Sequence, residues 1–285
     1  MDLVLCRTRV WQTAAVVDHS FADLALAALY DSLNPWGPDD DFYLGLVSSA
    51  DAVLDVGCGT GRLLARAVAD GHPGRLTGLD PAAAMLVQAR RQAPGVQWLL
   101  GDLRTHRWNG EFDLVVMKGH AFQVFLGDDE LRTALGAVRS ALGAGERFVF
   151  ETRNPTARDW ETWTPDRVRE VTDADGRVVR VWHEVEDEPS GDRVTFTTTF
   201  DSPGSPGSPG SPGSSGSPGS PGALGRRVSR STLRFLTAEA LAGFLTEAGL
   251  RVVEQYGDWD RGPLTPTSPE IITVATPAYP GPSGA

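Results

Sequence analysis

Residues Ala52 to Leu63 read A-V-L-D-V-G-C-G-T-G-R-L, and this dozen constrains the fold more than any other part of the chain. An apolar strand pattern runs to Val56, glycines follow at Gly57, Gly59 and Gly61, and a helical pattern begins with Leu63 and Leu64. The run predicts a strand, a tight turn and a helix. Glycines at such a turn reach positive φ and let a ligand approach backbone N–H groups with no Cβ in the way. The dinucleotide fingerprint G-x-G-x-x-G would need a glycine at position 62, where Arg62 stands, so the spacing here is G-x-G-x-G.

Further strands follow in order. Arg75 to Leu79 ends at Asp80, near the distance at which a carboxylate meets a ribose in nucleotide-binding α/β folds and can accept from both hydroxyls. Val96 to Leu100 ends in Gly101-Asp102-Leu103. Phe112 to Met117 ends in Lys118-Gly119-His120-Ala121-Phe122, and Arg147 to Glu151 is a fifth strand. Open parallel sheets bind ligands outside the carboxyl ends of their strands, so these ends can converge on one crevice. Singly, each feature has a plainer reading: glycines after a strand are often only turns, Asp55 can brace the loop, and Asp80-Pro81 is an ordinary helix cap with proline at the first helical position.

Together, V-L-D followed by G-x-G-x-G and these strand ends resemble class I S-adenosylmethionine-dependent methyltransferases, over roughly Tyr30 to Glu151 with a weaker tail from Leu233 to Ala275. The resemblance implies an α/β fold: a doubly wound, seven-stranded, mostly parallel sheet whose last strand is antiparallel, with a small antiparallel β insertion. It implies S-adenosyl-L-methionine as cofactor, held by Asp55, Gly57, Cys58, Gly59, Gly61, Asp80, Pro81, Met85, Asp102, Leu103 and Lys118. The glycine loop would lie against the amino-acid part of the cofactor, and Asp102 with a neighbouring amide beside the adenine.

The formal net charge of −11 disfavours the counterion-releasing grip by which proteins hold nucleic acid, and equally an anionic membrane surface. Cys6 and Cys58 read as free thiols, since a bridge at Cys58 would lock the glycine loop. No basic leader followed by an apolar run opens the chain, and no apolar stretch is long enough to span a bilayer, which predicts a cytoplasmic protein. No metal site is expected. Lys118, the solitary lysine, falls at the fourth strand end.

The chain divides into an unassigned segment 1–17, a cofactor-binding α/β half 18–151, an antiparallel β insertion 152–236, a helix and strands completing the sheet over 237–276, and a disordered tail 277–285. A helix from Asp18, with Phe21, Leu24, Ala25, Ala28 and Leu29 on one face, leads into Tyr30 to Tyr43, whose two prolines and four aromatics predict an ordered loop. Such a segment often closes over the cofactor in small-molecule methyltransferases, which makes Tyr30 and Trp36 candidate substrate contacts. Within the insertion, Val178 to Val185, Val194 to Phe200 and Val228 to Phe235 alternate as strands. Between the last two, Ser202 to Gly222 is seven triplets, six of them Ser-Pro-Gly, a composition that reads as a flexible, polyproline-biased linker. Thr237 caps the last helix, and the loop Gly257 to Pro263 offers Trp259 as a third substrate contact.

Methyl transfer from a sulfonium is an in-line displacement, so holding the nucleophile behind the methyl carbon is most of the work. A protonated nucleophile also needs a base, and His120 is the best placed of the five histidines; as a purely structural residue it would bond Gln123 or Tyr30. The Asn/Asp-Pro-Pro-aromatic motif of amino-group nucleic-acid methyltransferases is absent from Lys118 to Phe122, which argues for methylation of N or O on a small molecule and for no nucleic-acid partner. A homodimer through the insertion fits the same family layout. Two alternatives stand beside this reading: a non-catalytic S-adenosylmethionine-binding module, and an NAD-dependent oxidoreductase.

Overall fold

A computed structural model of the chain describes residues 19–202 and 225–278. The expectations for 1–17, for the Ser-Pro-Gly tract beyond Ser202 and for Cys6 lie outside these residues. The helices are α1 (His19–Ala22), α2 (Leu24–Leu33), α3 (Pro38–Val47), α4 (Arg62–Ala69), α5 (Ala83–Gln92), α6 (Asp128–Ala141) and α7 (Ala238–Glu247). The strands are β1 (Ala52–Val56), β2 (Arg75–Asp80), β3 (Gln97–Leu100), β4 (Phe112–Met117), β5 (Leu142–Arg153), β6 (Arg169–Thr172), β7 (Val178–Val185), β8 (Arg193–Asp201), β9 (Arg227–Arg234), β10 (Leu250–Tyr256) and β11 (Glu270–Pro277).

Seven strands form one sheet in the order β10-β11-β5-β4-β1-β2-β3. The neighbours from β5 to β3 run parallel, while β11 is antiparallel to both β5 and β10. Strands buried on both faces need near-continuous apolar runs, and Val53, Leu54, Val115 and Val116 supply them. One face carries Phe148, Phe150, Leu131, Leu135, Leu241 and Leu245; the other carries Leu64, Leu86, Trp98, Tyr43 and Val47. The antiparallel course of β11 brings its first residue, Glu270, opposite Arg153 at the carboxyl end of β5. A residue at the start of the last strand therefore shares an edge with the ends of the parallel strands.

The second sheet, β6-β7-β8-β9, is antiparallel and includes β6, which the sequence pattern did not single out. Helix α2 joins the two parts: Leu26, Leu29 and Leu33 pack on Val179, Val181 and Phe200 of the second sheet, while Ala27 and Tyr30 pack on Ala82 and Met85. Its carboxyl end is thereby held over the glycine loop.

Four local expectations need correction. The helix expected from Asp18 is broken at Asp23, whose carboxylate accepts the Ala25 amide at 2.8 Å and caps α2. The expected loop from Tyr30 to Tyr43 is mostly helix, with only 34–37 between α2 and α3. Pro38 occupies the first turn of α3 beside Asp39, Asp40 and Asp41, and the Asp40 side chain accepts the Gly37 amide at 2.9 Å; proline and acidic residues here start a helix rather than prevent one. The helix after β2 begins at Ala83, with Ala82 rather than Asp80 at its N-cap. At the other end β11 continues through Pro277, the first residue of the expected tail, and residues 279–285 are not described. Among the described residues no helix is long and apolar enough to cross a membrane.

Candidate active site

The loop from β1 to α4 turns through three left-handed glycines, with φ of 74° at Gly57, 55° at Gly59 and 75° at Gly61. Gly61 has a packing reason as well, since a Cβ there would lie 2.4 Å from the Trp98 ring and 2.8 Å from Ala89. At Gly59 a Cβ would meet nothing within 4 Å, so this glycine borders open space. The Asp80 carboxylate reaches across to accept the Gly59 amide at 2.8 Å and the Ala82 amide at 2.8 Å, which makes the second strand end and the loop one unit.

A crevice opens in front of this loop, lined by Tyr30, Asp55, Gly57, Cys58, Gly59 and Lys118, together with Asp31, Asp40, Thr60, Arg62, Leu63 and Gly119. At its floor Asp55 is 2% exposed, and its Oδ1 has no hydrogen-bond partner among the described residues. Burial pushes its carboxyl up to about 7, with Lys118 opposing and the carboxylates of Asp80 and Glu151 reinforcing the rise. A buried carboxylate oxygen without a donor costs free energy that a ligand's N–H or ammonium would recover. Cys58 is held under the loop with its thiol pushed well up by burial, so it is a filler and not a reactive thiolate.

The mouth of the crevice is fastened by charge. Lys118 Nζ lies 2.8 Å from Asp39 and 3.0 Å from Asp40, and Arg62 lies 3.0 Å from the same Asp40 carboxylate and bonds the carbonyl of Asn34. The Thr60 hydroxyl donates to Asp31 at 2.6 Å. These contacts tie α2 and α3 to the glycine loop and to the end of β4. Arg62 thus acts from the position where a dinucleotide fingerprint would have glycine.

Beside the crevice, at the ends of β4, β5 and β11, sits a polar cluster. His120 adopts φ 60°, uncommon for a residue other than glycine, and its amide donates to Glu151 at 2.8 Å. The other Glu151 oxygen takes the hydroxyl of the fully buried Tyr43. His120 Nε2 lies 3.0 Å from both oxygens of Glu270, so neither Gln123 nor Tyr30 is its partner. Gln123 instead donates to the Arg234 carbonyl at 3.0 Å and accepts from Arg153 at 3.1 Å, joining the second sheet to β5. Burial pushes Glu270 up to about 8, with Arg153 opposing and Asp159, Asp258 and Asp39 reinforcing; burial and then Arg153 push His120 down to about 3.

The remaining expected residues are dispersed. Tyr30 reaches the crevice, and burial raises its hydroxyl's pKa. Trp36 lies outside the crevice, donating to Asp41 at 2.7 Å with Arg62 and Arg66 over its ring. Trp259 packs on Phe42 and Tyr43, behind the Glu151 cluster. Asp102 is paired with Arg104, Leu103 and Met85 are core residues, and Pro81 is exposed. Among the described residues no group of His, Cys, Asp or Glu could hold a metal ion.

Residues 53–145 match the family model described as a methyltransferase domain. This segment is similar to methyltransferase domains. A segment of 92 residues is 44% identical to the 2-phytyl-1,4-naphtoquinone methyltransferase of Thermosynechococcus vestitus, covering 27% of this chain and 40% of that protein. Another of 69 residues is 36% identical to the trans-aconitate 2-methyltransferase of an Azoarcus species, covering 24% and 27%. The matches thus span less than half the length of these curated relatives. Among solved structures, the CcbJ methyltransferase of Streptomyces caelestis superposes with a TM-score of 0.66 at 19% identity over 91% of this chain and 98% of that one. CalS10, an amino pentose methyltransferase of Micromonospora echinaspora solved with S-adenosylmethionine bound, gives 0.61 at 24% over 88% and 97%. At these identities what is shared is the fold.

Proposed function

We propose that the protein is an S-adenosylmethionine-dependent methyltransferase that methylates N or O of a small-molecule acceptor, an amine on a sugar-like scaffold being the best fit. The observation that carries this reading is the buried Asp55 oxygen without a donor, set beside the glycine loop and the Asp80 carboxylate. The ammonium of the cofactor's amino-acid part is a cation of the right kind for Asp55. Asp80 still has lone pairs for a ribose diol after accepting two amides. Gly59 leaves room for the ligand.

When bound, S-adenosylmethionine supplies an electrophilic methyl carbon; the chain's own residues must hold an acceptor behind it and manage its proton. His120, Glu270 and Glu151 form the polar wall for that task, and Asp39, Asp159 and Asp258 add negative potential. Acidic surroundings favour an amine over a neutral hydroxyl. Two structural neighbours, the amino pentose methyltransferase CalS10 and the sugar N-methyltransferase KedS8 of a Streptoalloteichus species, act on such acceptors, which supports the same choice.

Calorimetric titration with S-adenosylmethionine, S-adenosylhomocysteine and NAD tests the cofactor: binding of NAD in place of the first two returns the oxidoreductase alternative. Methyl transfer from labelled cofactor to a panel of amino sugars and matched hydroxy sugars tests the reaction. Cofactor binding without transfer to any acceptor would leave the non-catalytic binding module. A homodimer through the four-stranded sheet and a cytoplasmic location are part of the same proposal; sedimentation equilibrium and cell fractionation test them.

A further inference from the structure

We infer that Glu270 is a positioning residue: through its contact with Nε2 it decides whether the other ring nitrogen of His120 carries a proton, and hence whether His120 can take one from an acceptor. The inference rests on the methyltransferase reading for its catalytic meaning, although the control of the imidazole by Glu270 does not.

The argument begins with connectivity. Glu270 opens β11, and the antiparallel register sets it opposite Arg153, two pairs along from Ile272 opposite Glu151. This places one carboxylate on the side chain of His120, through Nε2 at 3.0 Å, and a second on its amide, through Glu151 at 2.8 Å. The imidazole is thus fixed at both its backbone and its ring. His120 Nδ1 has no hydrogen-bond partner among the described residues, which leaves it as the nitrogen available to a ligand.

The proton count on the pair then decides the state of Nδ1. With one exchangeable proton shared between Nε2 and the carboxyl, the Nδ1 position also carries its hydrogen. This holds whether the shared proton sits on Glu270, leaving a neutral ring, or on Nε2, leaving an imidazolium beside a carboxylate. With that proton gone, the remaining hydrogen belongs on Nε2, donated to the Glu270 carboxylate, and Nδ1 becomes a bare lone pair. Only this second state can accept a proton: it leaves the acceptor nitrogen, bonds to Nδ1, and leaves the nitrogen's electron pair free to attack.

The groups around the pair set where it titrates. Arg153 on β5 favours ionised Glu270, while Asp159 after β5, Asp258 in the loop between β10 and β11, and Asp39 on α3 disfavour it. Glu151 and Arg153 act on the ring with opposite sign. Burial with three carboxylates nearby pushes Glu270 up to about 8, so the change of state falls within reach of physiological pH.

The test uses the full chain labelled with 15N-histidine, free of cofactor, followed by long-range proton–nitrogen spectra from about pH 6 to about pH 10. The His120 signals are those lost in His120→Asn. The expected result is that the two His120 nitrogens change protonation over mildly alkaline pH in the wild type, and that Glu270→Gln, which has no proton to lose, holds one tautomer throughout. A wild-type His120 in a single state across the range overturns the inference, as does a Glu270→Gln protein that titrates like the wild type. The wild-type result carries the decision if Glu270→Gln does not fold. Calorimetry with S-adenosylmethionine on the same samples is independent: loss of binding in the wild type defeats the methyltransferase reading without touching the control of the imidazole, and Glu270→Gln should bind within about twofold of the wild type.

Discussion

Asp80 accepts the amide hydrogen of Gly59 at 2.8 Å, so the end of the second strand and the middle of the glycine loop are held by one carboxylate. Burial raises its pKa, and the Ala82 and Gly59 amides hold that rise back. In Asp80→Ala the loop loses its brace and the proposed ribose diol loses its acceptor. Affinity for S-adenosylmethionine should fall by about 1–3 kcal/mol, the range for stripping a charge-assisted hydrogen bond. Titration calorimetry measures it, and an unchanged affinity would place the ribose elsewhere.

Two glycines of the same loop should respond to alanine in different ways. At Gly61 the new methyl would collide with Trp98 and Ala89 at a φ of 75°, so Gly61→Ala should lower stability by about 2–4 kcal/mol. At Gly59 only the left-handed backbone opposes a Cβ, and Gly59→Ala should cost about 1–2 kcal/mol of stability. Its larger effect should be on S-adenosylmethionine affinity, because the methyl projects into open space beside the crevice. Denaturant melts and calorimetry on the pair separate a packing glycine from a ligand-approach glycine; equal loss of stability in both would contradict the assignment.

Asp55 links cofactor binding to pH. Its carboxyl goes from 3.8, the ordinary value, to about 7 in the folded chain. The folded state holds the proton more tightly than the unfolded one, so the stability from this group is full below about pH 4 and is lost as pH rises through about 7. Asp55→Asn removes that loss and should stabilise the cofactor-free protein at pH 8, by at most about 4 kcal/mol, the worth of about three pKa units. The same variant should bind S-adenosylmethionine more weakly. In the wild type an arriving ammonium favours the ionised carboxylate, so binding below pH 7 should release a proton and tighten as pH rises toward 7. Calorimetry in buffers of different ionisation enthalpy counts that proton; none released would detach Asp55 from the ligand.

The succession of strands and the glycine loop were legible in the sequence because they depend on local patterns: apolar runs, turn glycines and helix periods. Thr237 is such a case, since its side chain caps α7 by accepting the Ala240 amide. What escaped was long-range. Asp40, read as part of a loop, is the buried carboxylate that binds both Lys118 and Arg62, a pairing across the fold that no spacing announces. Glu270 and Glu151 lie far from His120 in sequence and meet it only because β11 runs antiparallel beside β5. The antiparallel last strand was itself an expectation, so its first residue could have been placed at the site edge by topology alone. Trp36, by contrast, was singled out for its aromaticity, and its ring serves Arg62 and Arg66 instead.

His120 provides the test that separates a base from a wall. Asparagine tolerates left-handed backbone, so His120→Asn can keep the φ of 60° and the amide bond to Glu151 while removing the ring. If the ring takes the acceptor's proton, kcat should fall by roughly 10²-fold or more with S-adenosylmethionine affinity nearly unchanged. The wild-type rate should then rise with pH as the His120–Glu270 pair loses its proton, through a value near 8 and not near the 6.5 of an ordinary histidine. The direction follows from burial: the pair holds its proton longer than a free imidazole would, and the base exists only after it leaves. If the acceptor amine arrives neutral, the same variant should raise KM with little change in kcat, and the rising limb should persist in the variant because it then belongs to the acceptor. Wild-type kinetics in His120→Asn on a confirmed acceptor would remove the ring from the reaction and turn attention to Tyr30, whose hydroxyl shares the crevice with Lys118 and Gly119.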